Sequence, residues 1–445
     1  MEFDPLKTRD PGRGLAHAPS YWAATAGEAP GDDGPLDGDI EADVAVVGGG
    51  YTGLSCAYHL AKAGVKVALL EANRPGWGCS GRNGSFSHGS LGRLAYGDWV
   101  KRWGVDAARA LHGEAAAGYA TVRELIAEGN IACDVTEGGY MKIAHRESRI
   151  DWLRDELAVL RDTFGANVEL LDRDAIAADH FRGNEAFAAL RHADAIGLHP
   201  LKYAQGLLRM ARKAGAAVHS ESPVGEIHRH GEVRVLVTPG GRVRAREVVL
   251  AMNGYGTEQN RATAGRLLPV LSNIVVTRPM TANEKAEANF VTSHMMSDTR
   301  KLLNYFRRLP DDRILLGNRG PLRPTNTEMD AHRTEMLGTI RRKFPALQAI
   351  TGDYFWGGWV AITMDSMPHV ATASDDAKLH YAMGYNGTGV SAASHAGRRL
   401  AERLTGENKI HPVLSRPLPR IPFAAFRRLG QAALFQWYRW RDERD

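Results

Sequence analysis

Asp43–Glu71 reads DVAVVGGGYTGLSCAYHLAKAGVKVALLE. Asp43–Val47 is a short unbroken apolar run, as expected of a strand buried on both faces. Glycines follow at once, then a helical pattern from about Thr52 to Ala63, with Gly64 just beyond it as a C-cap. Val65–Leu70 is a second buried strand that ends in Glu71. These pieces make one βαβ unit. Its glycines Gly48, Gly50 and Gly53 stand as G-x-G-x-x-G. The first permits a tight turn, the second lets a pyrophosphate approach the backbone, and the third lets the helix pack closely on the strand. Tyr51 and Thr52 open the helix, whose free N–H groups and positive dipole end favour phosphate. Glu71 lies about 18 residues beyond Gly53, close to the usual ~20, and can accept hydrogen bonds from ribose hydroxyls. An acid there argues against a 2′-phosphate and so against NADP. The motif predicts a dinucleotide and leaves NAD and FAD open.

The chain around this unit has 445 residues, 44% hydrophobic and 24% charged, enough for a large core and two intertwined domains. A net charge of +5 is too dilute to argue for nucleic acid, although substrates bearing a carboxylate would be welcome. Cys56, Cys79 and Cys133 form neither a disulfide framework nor a zinc site, so no metal is expected and a reducing compartment fits. The N-terminus MEFDPLKTRDPGRG lacks the pattern of a signal peptide, and no window approaches the ~18 apolar residues of a membrane span. The expected location is the cytoplasm.

Nucleotide-type strands recur near 217–256 and toward the C-terminus, with antiparallel patterns between them. That order predicts an α/β (α+β) protein: a Rossmann-like nucleotide domain from 41–95, 196–262 and 353–410, and an inserted, mainly antiparallel-sheet substrate domain from 96–195 and 263–352. Residues 1–40 read as an extended arm anchored at Tyr21–Trp22, and 411–445 as a helical tail. A helical pattern runs from Tyr96 to Glu128, another covers 148–164, and Val243–Arg246 and Glu247–Ala251 read as two strands.

The choice of cofactor rests on Gly78–Gly84, GCSGRNG, directly after the βαβ unit. An NAD dehydrogenase would continue with another βα unit, whereas small residues with an Arg and an Asn suit a flat ring and a phosphate against backbone. A second glycine turn, Gly384-Tyr385-Asn386-Gly387-Thr388-Gly389-Val390, leads straight into a helix whose positive end could face a flavin pyrimidine. DVAVVGGGYTGLSCAYHLAKAGVKVALLEA followed by GWGCSGRNGS resembles the glycine oxidase and D-amino-acid oxidase superfamily of FAD-dependent oxidoreductases, and most closely its gamma-glutamylputrescine oxidase-like branch. The arm Pro19–Thr25, EVVLAMNGY at Glu247–Tyr255, NYFR at Asn304–Arg307 and Trp356-Gly357-Gly358 carry the resemblance further. It implies FAD contacts from Ala72, Ser80, Arg82, Asn83, Gly84, Ser85, Val224, Asn253 and Gly254, beside those of the two glycine turns. Some relatives link flavin to a late cysteine; none lies beyond Cys133, so FAD is expected to be non-covalent.

Flavin amine oxidation needs a positioned neutral amine rather than an obligatory acid–base triad. No certain catalytic residue is therefore named. Arg307 is the candidate for holding a substrate carboxylate, with Tyr305, Trp356 and Tyr385 as pocket walls, although core packing is the commoner role for side chains at such positions. The predicted reaction is oxidation of an amine or amino acid to an imine, with oxygen reduced to hydrogen peroxide. The alternatives are a dehydrogenase passing electrons to a quinone or carrier protein, an NAD-dependent enzyme, and a non-catalytic FAD-binding subunit. The stretch 421–441 reads as an amphipathic helix with Phe423, Phe426, Ala433, Trp437 and Trp440 on one face. Docking on a membrane surface and packing on its own domain or a second subunit are both open, packing being the simpler, and a homo-oligomer is not decided.

Overall fold

The strand Ile40–Val47 sits inside an eight-stranded sheet, parallel to Val67–Leu70 on one side and to Gly241–Leu250 on the other. Val44–Val47 and Val67–Leu70 are wholly buried, one face against helices and the other against strand and loop residues such as Leu36, Leu267, Ala361 and Leu418. Ala217–His219 extends this sheet beyond Val67–Leu70, and Asp376–Met383 joins it in parallel beside Gly241–Leu250. The helices Tyr51–Lys62, Pro200–Lys213 and Gly389–Leu404 pack together beneath it, sharing one core that includes Leu54, Tyr203, Leu207 and Leu400. The computed structural model describes residues 3–8, 12–256, 258 and 260–444; residues 1, 2 and 9–11 of the arm, 257, 259 and 445 lie outside the described residues.

A second eight-stranded sheet runs Gly352–Ile362, Leu268–Pro279, Arg313–Arg319, Tyr305–Arg308, Met295–Asp298, Tyr140–Ile143, Ala188–His192, Val168–Asp172. Its neighbours are antiparallel except Met295–Asp298 with Tyr140–Ile143. One face is covered by the helix Asn326–Lys343, through Met336, Ile340 and Phe344 against Val275, Phe306 and Leu316. The other face looks toward the first sheet.

The structure differs from the sequence reading in five places. The helical run 96–128 breaks at Gly104, whose φ of +80° no helix accommodates, into Tyr96–Trp103 and Val105–Glu128. Residues 148–164 form Ile150–Ala158 and close in a π-turn at Val159–Thr163. The two strands expected over 243–251 are one, Gly241–Leu250. Gly352–Ile362, grouped by sequence with the nucleotide segments, pairs along Leu268–Pro279 in the second sheet. Conversely Val105–Glu128, grouped with the substrate region, buries Leu111, Val122 and Leu125 in the core shared with Val390 and Leu400.

Both termini fold back on the body. The arm forms a short helix, Tyr21–Thr25, capped by Ser20 and anchored by the buried Trp22, whose indole N–H donates to the Asn83 carbonyl at 2.9 Å. The tail ends in the helix Arg427–Arg444.

Candidate active site

A cavity of about 640 Å³ lies between the two sheets. It begins at the carboxyl ends of Ile40–Val47 and Val67–Leu70, at Val47, Gly48, Leu70 and Glu71, the edge where parallel sheets bind nucleotides. Gly50 is the N-cap of Tyr51–Lys62 and offers no side chain to its N–H groups. The Tyr51 N–H instead donates to Ser80 Oγ at 3.0 Å, and a Cβ on Gly50 would lie 2.9 Å from that same oxygen. At Gly53 a Cβ would lie 1.9 Å from the Gly48 carbonyl oxygen, so only glycine lets helix and strand approach this closely. Glu71 Oε2 accepts the Gly49 N–H at 2.6 Å and Oε1 the Asn73 N–H at 2.9 Å. Burial raises the Glu71 pKa while these N–H bonds oppose the rise. Ala72, Val224 and Met252 continue the cavity wall around this acid.

The second glycine turn forms the opposite wall. Asn386 and Gly387 have φ of +56° and +104°, and the Gly384 N–H donates to Asn253 Oδ1 at 2.9 Å. The helix Gly389–Leu404 starts there without a side-chain cap, because the Thr388 hydroxyl donates to the Tyr385 carbonyl at 2.8 Å. Its first N–H groups therefore stay available on the cavity side, where Thr388, Gly389 and Val390 line the wall. A hydrogen bond of 2.6 Å between Thr52 Oγ1 and the Tyr385 hydroxyl ties the two turns together. A cradle with two helix N-termini whose own N-cap residues give no side-chain cap, an acid at the strand tip and one continuous cavity between them fits an extended dinucleotide carrying a flat ring.

The loop after the βαβ unit supplies Ser80, Arg82, Asn83 and Gly84 to this cavity. Arg82 lies over the Trp77 ring, 4.3 Å from its centroid, and donates Nε to the Trp77 carbonyl at 2.8 Å. The Asn83 amide donates to the Cys79 and Ser80 carbonyls at 3.2 and 3.0 Å, holding the loop. Burial pushes the Cys79 thiol up to about 11. Gly53, Ser85, Gly254 and Gly384 stand behind the wall rather than in it. Gly254, for example, packs under Trp359, where a Cβ would meet the Trp359 carbonyl oxygen at 2.9 Å.

The ceiling is one end of one face of the second sheet. Alternate residues point the same way along a strand, and Val270 with Ser272, Gly358 with Val360, and Tyr305 with Arg319 all line the cavity. Tyr305 is seated by two glycines: a Cβ on Gly84 would come within 2.6 Å of its ring, and one on Gly317 within 2.1 Å. Its hydroxyl pairs with Ser272 Oγ at 3.1 Å, and burial pushes its pKa up to about 12. Arg307 and Trp356 share this face but sit at its other end, which the arm covers. Trp22 packs edge-on to Trp356 with centroids 6.3 Å apart, and the Trp356 indole N–H donates to the Arg82 carbonyl at 2.9 Å. Arg307 is spent on Ser85 Oγ at 2.7 Å and Thr136 Oγ1 at 3.3 Å, outside the cavity. The carboxylate role expected of Arg307 and the wall role expected of Trp356 therefore do not hold.

Five cations in the cavity escaped the sequence reading: Arg93, Lys142, Arg300, Lys301 and Arg319, of which Arg300 is ion-paired with Asp298 and Glu185. Burial and the neighbouring Arg93 hold Arg319 down to about 9, and among the described residues it has no ion pair or hydrogen-bond partner. Burial holds Lys142 down to about 8; its ammonium donates to Ser297 Oγ at 3.2 Å. Arg93 donates to the Lys301 carbonyl at 3.1 Å. Glu156 is the acid on this side, its charge disfavoured by burial. No three His, Cys, Asp or Glu side chains among the described residues gather as a metal site.

Comparison with known proteins agrees with this geometry. Gamma-glutamylputrescine oxidoreductase of Escherichia coli (strain K12) is 34% identical over 420 residues, covering 93% of this chain and 95% of the relative. A probable oxidoreductase of Haemophilus influenzae (strain ATCC 51907 / DSM 11121 / KW20 / Rd) is 31% identical over 387 residues, covering 84% of this chain and 85% of the relative. The glycine oxidase structure from Geobacillus kaustophilus superposes with a TM-score of 0.69 at 20% identity, covering 86% of this chain and 99% of that one, and so shares the fold. The family model described as "DAO: FAD dependent oxidoreductase" matches residues 43–403, from the first buried strand through the helix after the second glycine turn, and the chain is accordingly a member of that family of FAD-dependent enzymes.

Proposed function

We propose that the enzyme oxidises the C–N bond of an amine or amino acid that also carries a carboxylate, giving an imine that hydrolyses, with oxygen reduced to hydrogen peroxide. FAD, when bound, supplies the two-electron oxidant. The observation that carries the substrate class is the trio Arg93, Lys142 and Arg319 in the cavity, three cations among which Arg319 has no partner among the described residues. Unpaired cations in a partly desolvated site favour an anion, and a guanidinium fork suits a carboxylate. Two relatives, a gamma-glutamylputrescine oxidoreductase and a glycine oxidase, are both named for nitrogen compounds. Tyr305, Val360 and Ile362 supply the apolar wall against which the carbon beside the nitrogen would lie. Tyr385, tied through its hydroxyl to Thr52, holds the opposite wall.

The cofactor is held without a covalent bond in this reading. Cys79 lines the cavity, but a thiol with its pKa near 11 is protonated at neutral pH and a poor nucleophile. Cys56 and Cys133 are buried free thiols, which also suits a cytoplasmic enzyme. Acid precipitation should leave the yellow flavin in the supernatant.

The decisive experiment screens amines with and without a carboxylate for peroxide release by the purified yellow protein. Carboxylate-bearing amines should lead by at least about tenfold in kcat/KM, the scale of one retained charge-assisted hydrogen bond. Equal turnover of simple diamines would refute the anion reading. Dye reduction without peroxide would reassign the protein to the dehydrogenases.

A further inference from the structure

The tail helix Arg427–Arg444 packs the wrong way round for an ordinary amphipathic helix. Its inward side carries Gln431, Phe435, Tyr438 and Asp442, and two polar members of that side, Gln431 and Asp442, are only 2% and 8% exposed. Its outward side, with the turn before it, carries Phe423, Phe426, Leu429, Trp437 and Trp440, exposed by 84%, 64%, 69%, 48% and 49%. The polar side is the one that is held. The Asp442 carboxylate accepts the Lys301 and Leu302 N–H groups at 2.7 and 3.0 Å, Arg146 donates to the Asp442 carbonyl, and Arg428 donates to the Pro269 carbonyl at 2.7 Å. Among the described residues these five side chains make no hydrogen bond or ring contact with the body.

Arginines rim the aromatic side. Arg441 lies over the Trp437 ring at 5.3 Å and Arg444 over the Trp440 ring at 4.8 Å, with Arg420 and Arg439 also exposed. Of the two acids in the helix, Asp442 is turned inward, leaving Glu443. Tryptophan and phenylalanine beside arginines whose stems lie along the rings is the composition of a helix lying in a bilayer interface, apolar edge in the acyl boundary and guanidinium groups on anionic headgroups. No helix among the described residues is long and apolar enough to cross a membrane, so the contact is in-plane.

We propose that this outward side docks the enzyme on the surface of an anionic lipid bilayer. Charge decides for lipid: the patch is aromatic and cationic with almost no acid. The same helix walls the active-site cavity from inside, through Gln431, Leu434, Phe435 and Tyr438. Leu434 lines the cavity and is also 39% exposed, which sets an edge of the cavity beside the docking patch. Docking therefore acts on a wall of the substrate chamber.

The test uses the full-length yellow protein and vesicles of phosphatidylcholine, pure or mixed with phosphatidylglycerol, read by co-sedimentation at low and high salt. Binding to the anionic vesicles should exceed binding to the neutral ones by at least tenfold and fall steeply with salt. The Trp437→Glu/Trp440→Glu variant should lose binding at least tenfold and keep its flavin and its turnover without vesicles, since neither tryptophan lines the cavity. Wild-type protein left in the supernatant with anionic vesicles would overturn the proposal, as would undiminished binding by the double variant. A concentration-dependent dimer in light scattering that the variant abolishes, without vesicle binding, would assign the patch to a second copy and overturn it equally.

Discussion

Replacing Arg319 with methionine separates two effects that a structural arginine would keep together. The side chain keeps its approximate length and loses its charge. Truncating one partner of a desolvated, hydrogen-bonded charge pair costs about 2–5 kcal/mol, so kcat/KM for a carboxylate-bearing amine should fall by a factor of about 30 to several thousand. Arg93 and Lys142 share the chamber, which favours the lower end. The loss should fall on KM, because a carboxylate held away from the reacting carbon is bound alike in ground and transition states. The substrate-free protein should respond in the opposite direction. The folded pKa of Arg319 is about 9, below its ordinary 12.5. The folded state therefore bears the cost of this charge in full below about pH 9, and the cost fades as pH rises toward 12.5. At pH 7.5 methionine should relieve on the order of 1–3 kcal/mol. With an unfolding entropy of about 2.1 cal/mol/K per residue, each kcal/mol moves Tm by about 1 °C in a chain this long. Steady-state peroxide release and a melting curve of the flavin-loaded protein test both halves. A kcat/KM within twofold of wild type, or a lowered Tm without substrate, would refute the role given to Arg319.

Gly50→Val should purify colourless, since even a Cβ there reaches the Ser80 hydroxyl at 2.9 Å and larger groups fill the phosphate approach; a variant with a full flavin absorbance would contradict the assignment of this turn. Lys142, held down to about 8, should make KM for an anionic substrate rise above pH 8 as its proton is lost, and Lys142→Met should remove that limb from the KM–pH profile. Glu114 accepts from His395 at 2.9 Å and Arg399 at 2.7 Å, and Glu185 pairs with Lys343 at 2.8 Å; both carboxyls are held down to about 2 from an ordinary 4.5. Their stabilisation should be complete above about pH 4.5 and lost as pH falls through 2, and Glu114→Gln should cost about 3 kcal/mol at pH 7 in denaturant unfolding and flatten the acid limb.

The nucleotide half of this fold is legible because its information is local. A parallel strand buried on both faces reads as an unbroken apolar run, and the helix and second strand follow within one short stretch. The observed bounds, Ile40–Val47, Tyr51–Lys62 and Val67–Leu70, differ from the expected ones by up to three residues. Four strands of the second sheet, Tyr140–Ile143, Val168–Asp172, Ala188–His192 and Met295–Asp298, went unread. They are short, several carry charged residues, and two of them pair across more than a hundred residues of chain, so no turn chemistry announces them. At Gly104 the helical pattern continues on both sides, and only its positive φ reveals the break.

The substrate half depends on contacts that no local pattern encodes. Tyr305 and Arg307 have the same parity on one strand, and their partners Gly317 and Leu315 share that parity with Arg319 on the next. The sequence therefore points to the right face of the sheet and, in Arg307, to the wrong end of it. What selects the end is the arm: Trp22, packed against Trp356 and bonded to the Asn83 carbonyl, covers the Arg307 end and leaves the Arg319 end to the cavity. The tail does the complementary work, its Asp442 pinning the Lys301–Leu302 backbone whose carbonyl holds Arg93. The dinucleotide motif fixes where electrons are accepted. The two chain termini, read by sequence as an extended arm and a helical tail, decide which cations face the cavity.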